Sequence, residues 1–141
     1  MVPSGDGASG KVVCVDVQER MLGALLGRAR AAGLADRIVA RACRADSLCI
    51  DGHAGAIDFA LAFAVVHEVP DATRLFAEVA RALRPTARCL VAEPKGHVTL
   101  EAFGRTIAAA GEAGLGVAGR PRVRWCHAAL LEKPAGGEPR P

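Results

Sequence analysis

The chain has 141 residues, 51% hydrophobic and 23% charged, which fits one folded domain of about 133 residues and excludes a disordered or collagen-like polymer. A net charge of +3, from 18 basic and 15 acidic residues, is too small to predict a nucleic acid or membrane partner, and one Trp with no Tyr provides no stacking platform for single strands. Five cysteines, an odd number with three inside apolar runs, suit a reducing cytoplasm, and no leader pattern or 18-residue apolar run argues for secretion or a membrane span.

In chain order, Lys11 to Asp16 (KVVCVD) is a β-branched apolar run ending in a carboxylate, the pattern of a strand buried on both faces of a parallel sheet. Gln18 to Ala32 places Met21, Leu22, Leu25, Leu26 and Ala29 at helical spacing, with Gly33 as a left-handed stop. Arg37 to Cys43 is a second strand, Ala45 to Ala56 a loop, and Ile57 to Phe63 (IDFALAF) a third strand. Asp71 caps a helix over Ala72 to Leu83 that Pro85 keeps from continuing. Arg88 to Glu93 is a fourth strand, and Val98 to Ala113 a third helix broken at Gly114 and Gly116. Two last runs, Val117 to Arg124 and Trp125 to Glu132, are expected to pair as neighbours, and from Pro134 the composition predicts a disordered tail over residues 134–141.

Strands alternating with helices at this spacing specify an α/β sheet with right-handed crossovers. Ligands of such a sheet sit outside the carboxyl ends of its strands, so Asp16 and the segments after Cys43, Phe63 and Glu93 are expected to converge on one crevice.

Three segments, GKVVCVDVQERML, IDFALAFAVVHEVPD and FAEVARALRPTARCLVAEP, resemble in order and spacing the class I S-adenosylmethionine-dependent methyltransferases. The third departs at Arg84-Pro85-Thr86-Ala87, where that family usually has a Pro-Gly-Gly turn. The resemblance implies a Rossmann-like three-layer sandwich, with a mostly parallel sheet and a C-terminal antiparallel hairpin, and S-adenosylmethionine as cofactor. Independently of the family, a carboxylate at the end of a buried strand is suited to accept hydrogen bonds from vicinal ribose hydroxyls, which makes Asp16 the first candidate, with Val17 beside it; the plainer reading is that Asp16 only caps the following helix.

The resemblance further implies an acid for the adenine amino group after the third family strand, where Arg44 stands instead. Asp46 two positions on, or the backbone of Arg44 and Ala45, would take that role, unless Asp46 is an ordinary loop residue. Phe63 and Ala64 would line the methionine moiety. His67 and Glu68 would face the acceptor, His67 as a general base or merely as a residue bonding its own turn, and His97 is a second candidate.

Other motifs are discounted. Gly5-Asp6-Gly7-Ala8-Ser9-Gly10 spells G-x-G-x-x-G but precedes a strand, the wrong order for a phosphate cradle. Cys43, Cys49 and His53 do not match zinc spacings, so no metal is expected. Arg120, Arg122 and Arg124 alternate along the expected strand and share one face, read as a solvated edge, with an anionic substrate or nucleic acid as the other reading.

The family's first strand and glycine-rich loop have no counterpart, so six strands are expected rather than seven. The absent one belongs in mid-sheet, between the strands ending at Asp16 and Phe63. The sheet would close directly, a second copy or a strand-donating partner would fill the gap, or the sequence is truncated by an incorrect start. The expected function is methyl transfer to a small molecule, impaired or not in this chain; the alternative is a silent remnant serving as an interaction or dimerisation module. A dehydrogenase-like nucleotide binder is a third reading, without a properly placed glycine fingerprint.

Overall fold

A computed structural model describes residues 10–136 of the chain. Its elements are β1 (Val12–Asp16), α1 (Glu19–Ala31), β2 (Ile38–Ala42), β3 (Ile57–Phe63), α2 (Ala72–Ala82), β4 (Leu83–Pro94), α3 (Leu100–Glu112), β5 (Gly116–Gly119) and β6 (Cys126–Glu132). The G-x-G-x-x-G run apart from Gly10, and the expected tail apart from residues 134–136, lie outside the described residues.

The strands form two sheets. β1 and β2 pair in parallel, and a four-stranded sheet has the order β3-β4-β6-β5, with β3 and β4 parallel and β6 antiparallel to both β4 and β5. β1 does not pair with β3, so the direct closure weighed from the sequence is not what the chain adopts. One edge of each of these strands carries no ladder partner among the described residues.

The core belongs to the larger sheet. Phe76 from α2, Leu83, Cys89 and Val91 from β4, Leu115 after α3 and Leu131 from β6 are fully buried and share one apolar cluster. Every residue of that cluster lies at Ala62 or beyond. β1 corrects an expectation: all five of its residues are only half-buried, and β2 is its one ladder partner among the described residues. In α1 the expected five-residue stripe buries only Leu22 and Ala29, while Met21 is exposed.

Local chemistry sets the boundaries. Gly33 takes a φ of 72° after α1, a conformation that costs glycine little because it has no Cβ. Asp71 accepts a hydrogen bond from the Arg74 amide (3.1 Å) and Thr99 one from the Ala102 amide (3.0 Å), capping α2 and α3. Residues 83–87 correct a second expectation. The backbone turns extended at Leu83, two residues before Pro85, so β4 begins there and not at Arg88. Its register against β3 breaks between Ile57 and Phe59, and Thr86 sits at a φ of 68°. Lys133 secures the irregular stretch by donating from Nζ to the Leu83 carbonyl (2.6 Å) and accepting from the Thr86 amide (3.0 Å). A third correction concerns residues 120–125, which form a loop, so the three arginines there do not line a strand face.

Candidate functional site

The carboxyl end of β1 is held by Asp16. Its Oδ1 accepts from the Gln18 amide (2.8 Å) and its backbone carbonyl accepts from the Cys43 amide (3.0 Å), which ties the end of β1 to the end of β2. Asp16 thus closes a local turn onto the Gln18 amide, but the helix N-cap is Gln18 and carries no side-chain cap hydrogen bond, so Asp16 does not cap α1 itself. Val17 beside it is exposed.

After β2 the chain makes a tight turn. Arg44 and Ser47 exchange two backbone hydrogen bonds (2.9 and 3.2 Å), and Arg44 Nε lies 3.5 Å from Asp46 Oδ1. Both side chains are largely in solvent, where such a pair contributes at most about 1 kcal/mol. Sequence reasoning missed what positions this turn. Glu78 on α2 accepts from Ser47 Oγ and from the Leu48 amide, both at 2.9 Å, docking the loop onto the larger sheet's helical layer.

At the carboxyl end of β3, Phe63 is half exposed and Ala64 has a φ of 56°, a region that non-glycine residues enter rarely. The Ala64 amide donates to the Ala92 carbonyl of β4 (2.8 Å), which helps to hold that conformation. A single 3-10 turn, Val66–Glu68, follows and carries His67.

The partner of His67 is Glu93, at the carboxyl end of β4. Glu93 is the one charged residue fully buried among the described residues. Its Oε1 accepts from the Val66 amide (2.8 Å), and its Oε2 lies 2.5 Å from His67 Nδ1. Glu68, the neighbour expected to work with His67, is exposed and 3.9 Å from Nε2. His97 stacks on His67 with ring centroids 5.9 Å apart and planes 6° from parallel. A carboxylate of this kind can only accept, so an ionised Glu93 puts the imidazole hydrogen on Nδ1 and the lone pair on Nε2. A signal was present in the sequence: an acid ending an otherwise apolar strand is a buried charge that must find a donor.

The predicted residues thus fall into two groups. Asp16, Val17, Arg44, Ala45 and Asp46 stand at the carboxyl edge of the β1-β2 sheet; Phe63, Ala64, His67 and Glu68 stand at that of β3, with Glu93 beside them. No hydrogen bond or ion pair links the groups among the described residues. Three of the thiols are poor nucleophiles in this setting: burial pushes Cys89 up to about 12 and raises Cys14 and Cys43 above the ordinary thiol range. No cluster of three metal-binding side chains occurs among the described residues, and no described helix is long and apolar enough to cross a membrane.

Solved structures with this fold include a SAM-dependent methyltransferase from Aquifex aeolicus, 19% identical, with a TM-score of 0.76 over 89% of this chain and 70% of that one. Another from Methanosarcina mazei is 16% identical, with a TM-score of 0.69 over 89% of this chain and 83% of that one. The [4+2]-cyclase SpnF is 17% identical, with a TM-score of 0.73 over 91% of this chain and 68% of that one. No curated protein matches. At these identities the likeness concerns the fold. A family model described as a methyltransferase domain matches residues 4–91, more than half of the sequence, and the chain belongs to that family.

Proposed function

We propose that the chain binds S-adenosylmethionine at the carboxyl edge of β1, β2 and β3 and directs its methyl group to a small-molecule acceptor. The cofactor supplies the electrophile, a methyl on a sulfonium. The protein's own residues bind, orient and handle the proton. Asp16 Oδ2 is suited to the ribose hydroxyls, with Val17 alongside; the Arg44-Ala45-Asp46 turn is suited to the adenine, and Phe63 and Ala64 to the methionine moiety. His67 Nε2 takes the proton of the acceptor nucleophile, and Glu93 acts through His67 as its positioning residue, fixing the tautomer and stabilising the charge that develops on the ring.

The observation that carries this reading is Asp16 at the end of β1, with one oxygen spent on its own turn, in a chain of the methyltransferase domain family. Calorimetric titration with S-adenosylhomocysteine tests it. Binding in the micromolar range, weakened at least about tenfold by Asp16→Asn, is expected, and no binding overturns it.

The edges of β1 and β3 that have no ladder partner among the described residues favour a second reading. With Leu61 and Phe63 exposed on β3, the chain would serve as an interaction module filled by a strand-donating partner or a second copy. A chain that binds no S-adenosylhomocysteine and sediments as a dimer supports this reading over the first.

A further inference from the structure

The β4-β6 pairing sets Glu93 opposite His127 and Pro94 opposite Cys126, so the loop entering β6 lies beside the residues leaving β4. Between them is a groove of about 410 Å³ lined by Lys95, Arg122, Val123, Arg124, Trp125 and Cys126, a volume in the range of small-molecule sites. Lys95 follows two residues after Glu93 and precedes His97 by two, and Cys126 pairs with Pro94, so the groove begins where β4 delivers the partner of the candidate base.

Three cations line this groove and no carboxylate does. Trp125, 73% exposed, leaves most of an aromatic side chain in water, and the Arg124 guanidinium lies 5.3 Å from its ring centroid. Trp125 also has a φ of 63°, a costly conformation for a bulky residue, which persists only where the surroundings impose it. The surroundings are two backbone hydrogen bonds, Lys95 amide to Trp125 carbonyl (2.8 Å) and Cys126 amide to Val123 carbonyl (3.0 Å). A strained, exposed ring is thereby presented beside guanidinium forks suited to a bidentate anion.

We propose that this groove binds the acceptor through an anionic group, a phosphate or carboxylate, attached to a flat ring that packs on Trp125. The proposal rests on reading this edge as the acceptor side of a methyltransferase, and it adds the acceptor's chemical class.

Trp125 is the sole tryptophan, so its fluorescence reports on this groove alone. Titrations with phenyl phosphate and with benzoate are expected to give a saturable change that phenol at equal concentration does not give. Arg122→Ala with Arg124→Ala, both in an exposed loop and checked for folding by circular dichroism, is expected to weaken binding at least about tenfold. An equal response to phenol, or an unchanged affinity in the double variant, overturns the proposal. So does tighter binding of a single-stranded oligonucleotide in a parallel titration, which would assign the groove to nucleic acid. S-adenosylhomocysteine binding, followed by calorimetry, separates the two claims: its failure with an intact phenyl phosphate response overturns the methyl-transfer reading and with it the acceptor assignment, leaving the groove an anion site, and the converse overturns the groove alone.

Discussion

Glu93 is fully buried, and removing His67 leaves its carboxylate one described hydrogen bond, from the Val66 amide. A buried charge deprived of a partner costs more than the pair gains, so His67→Ala is expected to destabilise the fold by about 1–3 kcal/mol in urea denaturation at neutral pH. In a Glu93→Gln background there is no charge to strand, and the same His67→Ala change should cost distinctly less. A double-mutant cycle measures the difference; equal costs in both backgrounds would show that Glu93 does not hold His67. The same geometry explains why the neighbouring acid in sequence is not the working one. The Glu68 side chain lies largely in solvent, whereas Glu93 reaches the ring from the neighbouring strand β4, a contact 26 residues away in sequence.

At the scale of elements, one helix holds the loop between the two sheets. Glu78 presents both carboxylate oxygens from α2 to Ser47 and Leu48. Glu78→Ala is expected to cost about 1–3 kcal/mol, since the partly buried Leu48 amide loses its acceptor, and to raise amide exchange at residues 47–50 while α2 keeps its helicity. If the turn at Arg44 to Asp46 contributes to the adenine site, S-adenosylhomocysteine affinity falls with it. Slow exchange retained in that loop would show the contact to be incidental. Elements of this kind were legible where local pattern and tertiary environment agree. IDFALAF is a strand from Ile57 to Phe63 with both ends as expected, and Asp71 caps α2 because a short side-chain acceptor meets free amides at the helix start. They were not legible where the environment prevails. Pro85 marks the end of helical structure, yet pairing with β3 and the hold of Lys133 draw the strand back to Leu83. The alternating arginines suggested a strand, but Pro121 and the hydrogen bonds around Trp125 make a loop of them. Glu93 and Glu78 escaped notice as site residues because a carboxylate's partners lie across the fold, where periodicity along one element carries no information.

For the whole molecule, the division into two sheets sets where stability resides. The buried cluster lies entirely at Ala62 and beyond, with half-buried neighbours beginning at Leu48, while β1, α1 and β2 contribute only Leu22 and Ala29 as buried residues. Among the described residues β1 has one ladder partner, whereas β4 has two, and amides facing an edge without a partner exchange readily with water. Residues 12–42 are therefore expected to open as a unit below the free energy of global unfolding. Native-state hydrogen exchange read by mass spectrometry should show peptides from β1, α1 and β2 labelling well before those from β4 and β6. A ligand bound at Asp16 stabilises the open-prone unit by mass action, so saturating S-adenosylhomocysteine should slow labelling there and leave β6 unchanged. A strand that fills the gap would instead protect β1 and β3 together, because both edges gain a partner at once. Uniform protection of residues 12–42 and 83–94 in the free chain would mean that the two sheets already share a cooperative core, and the open edges would then carry no functional meaning.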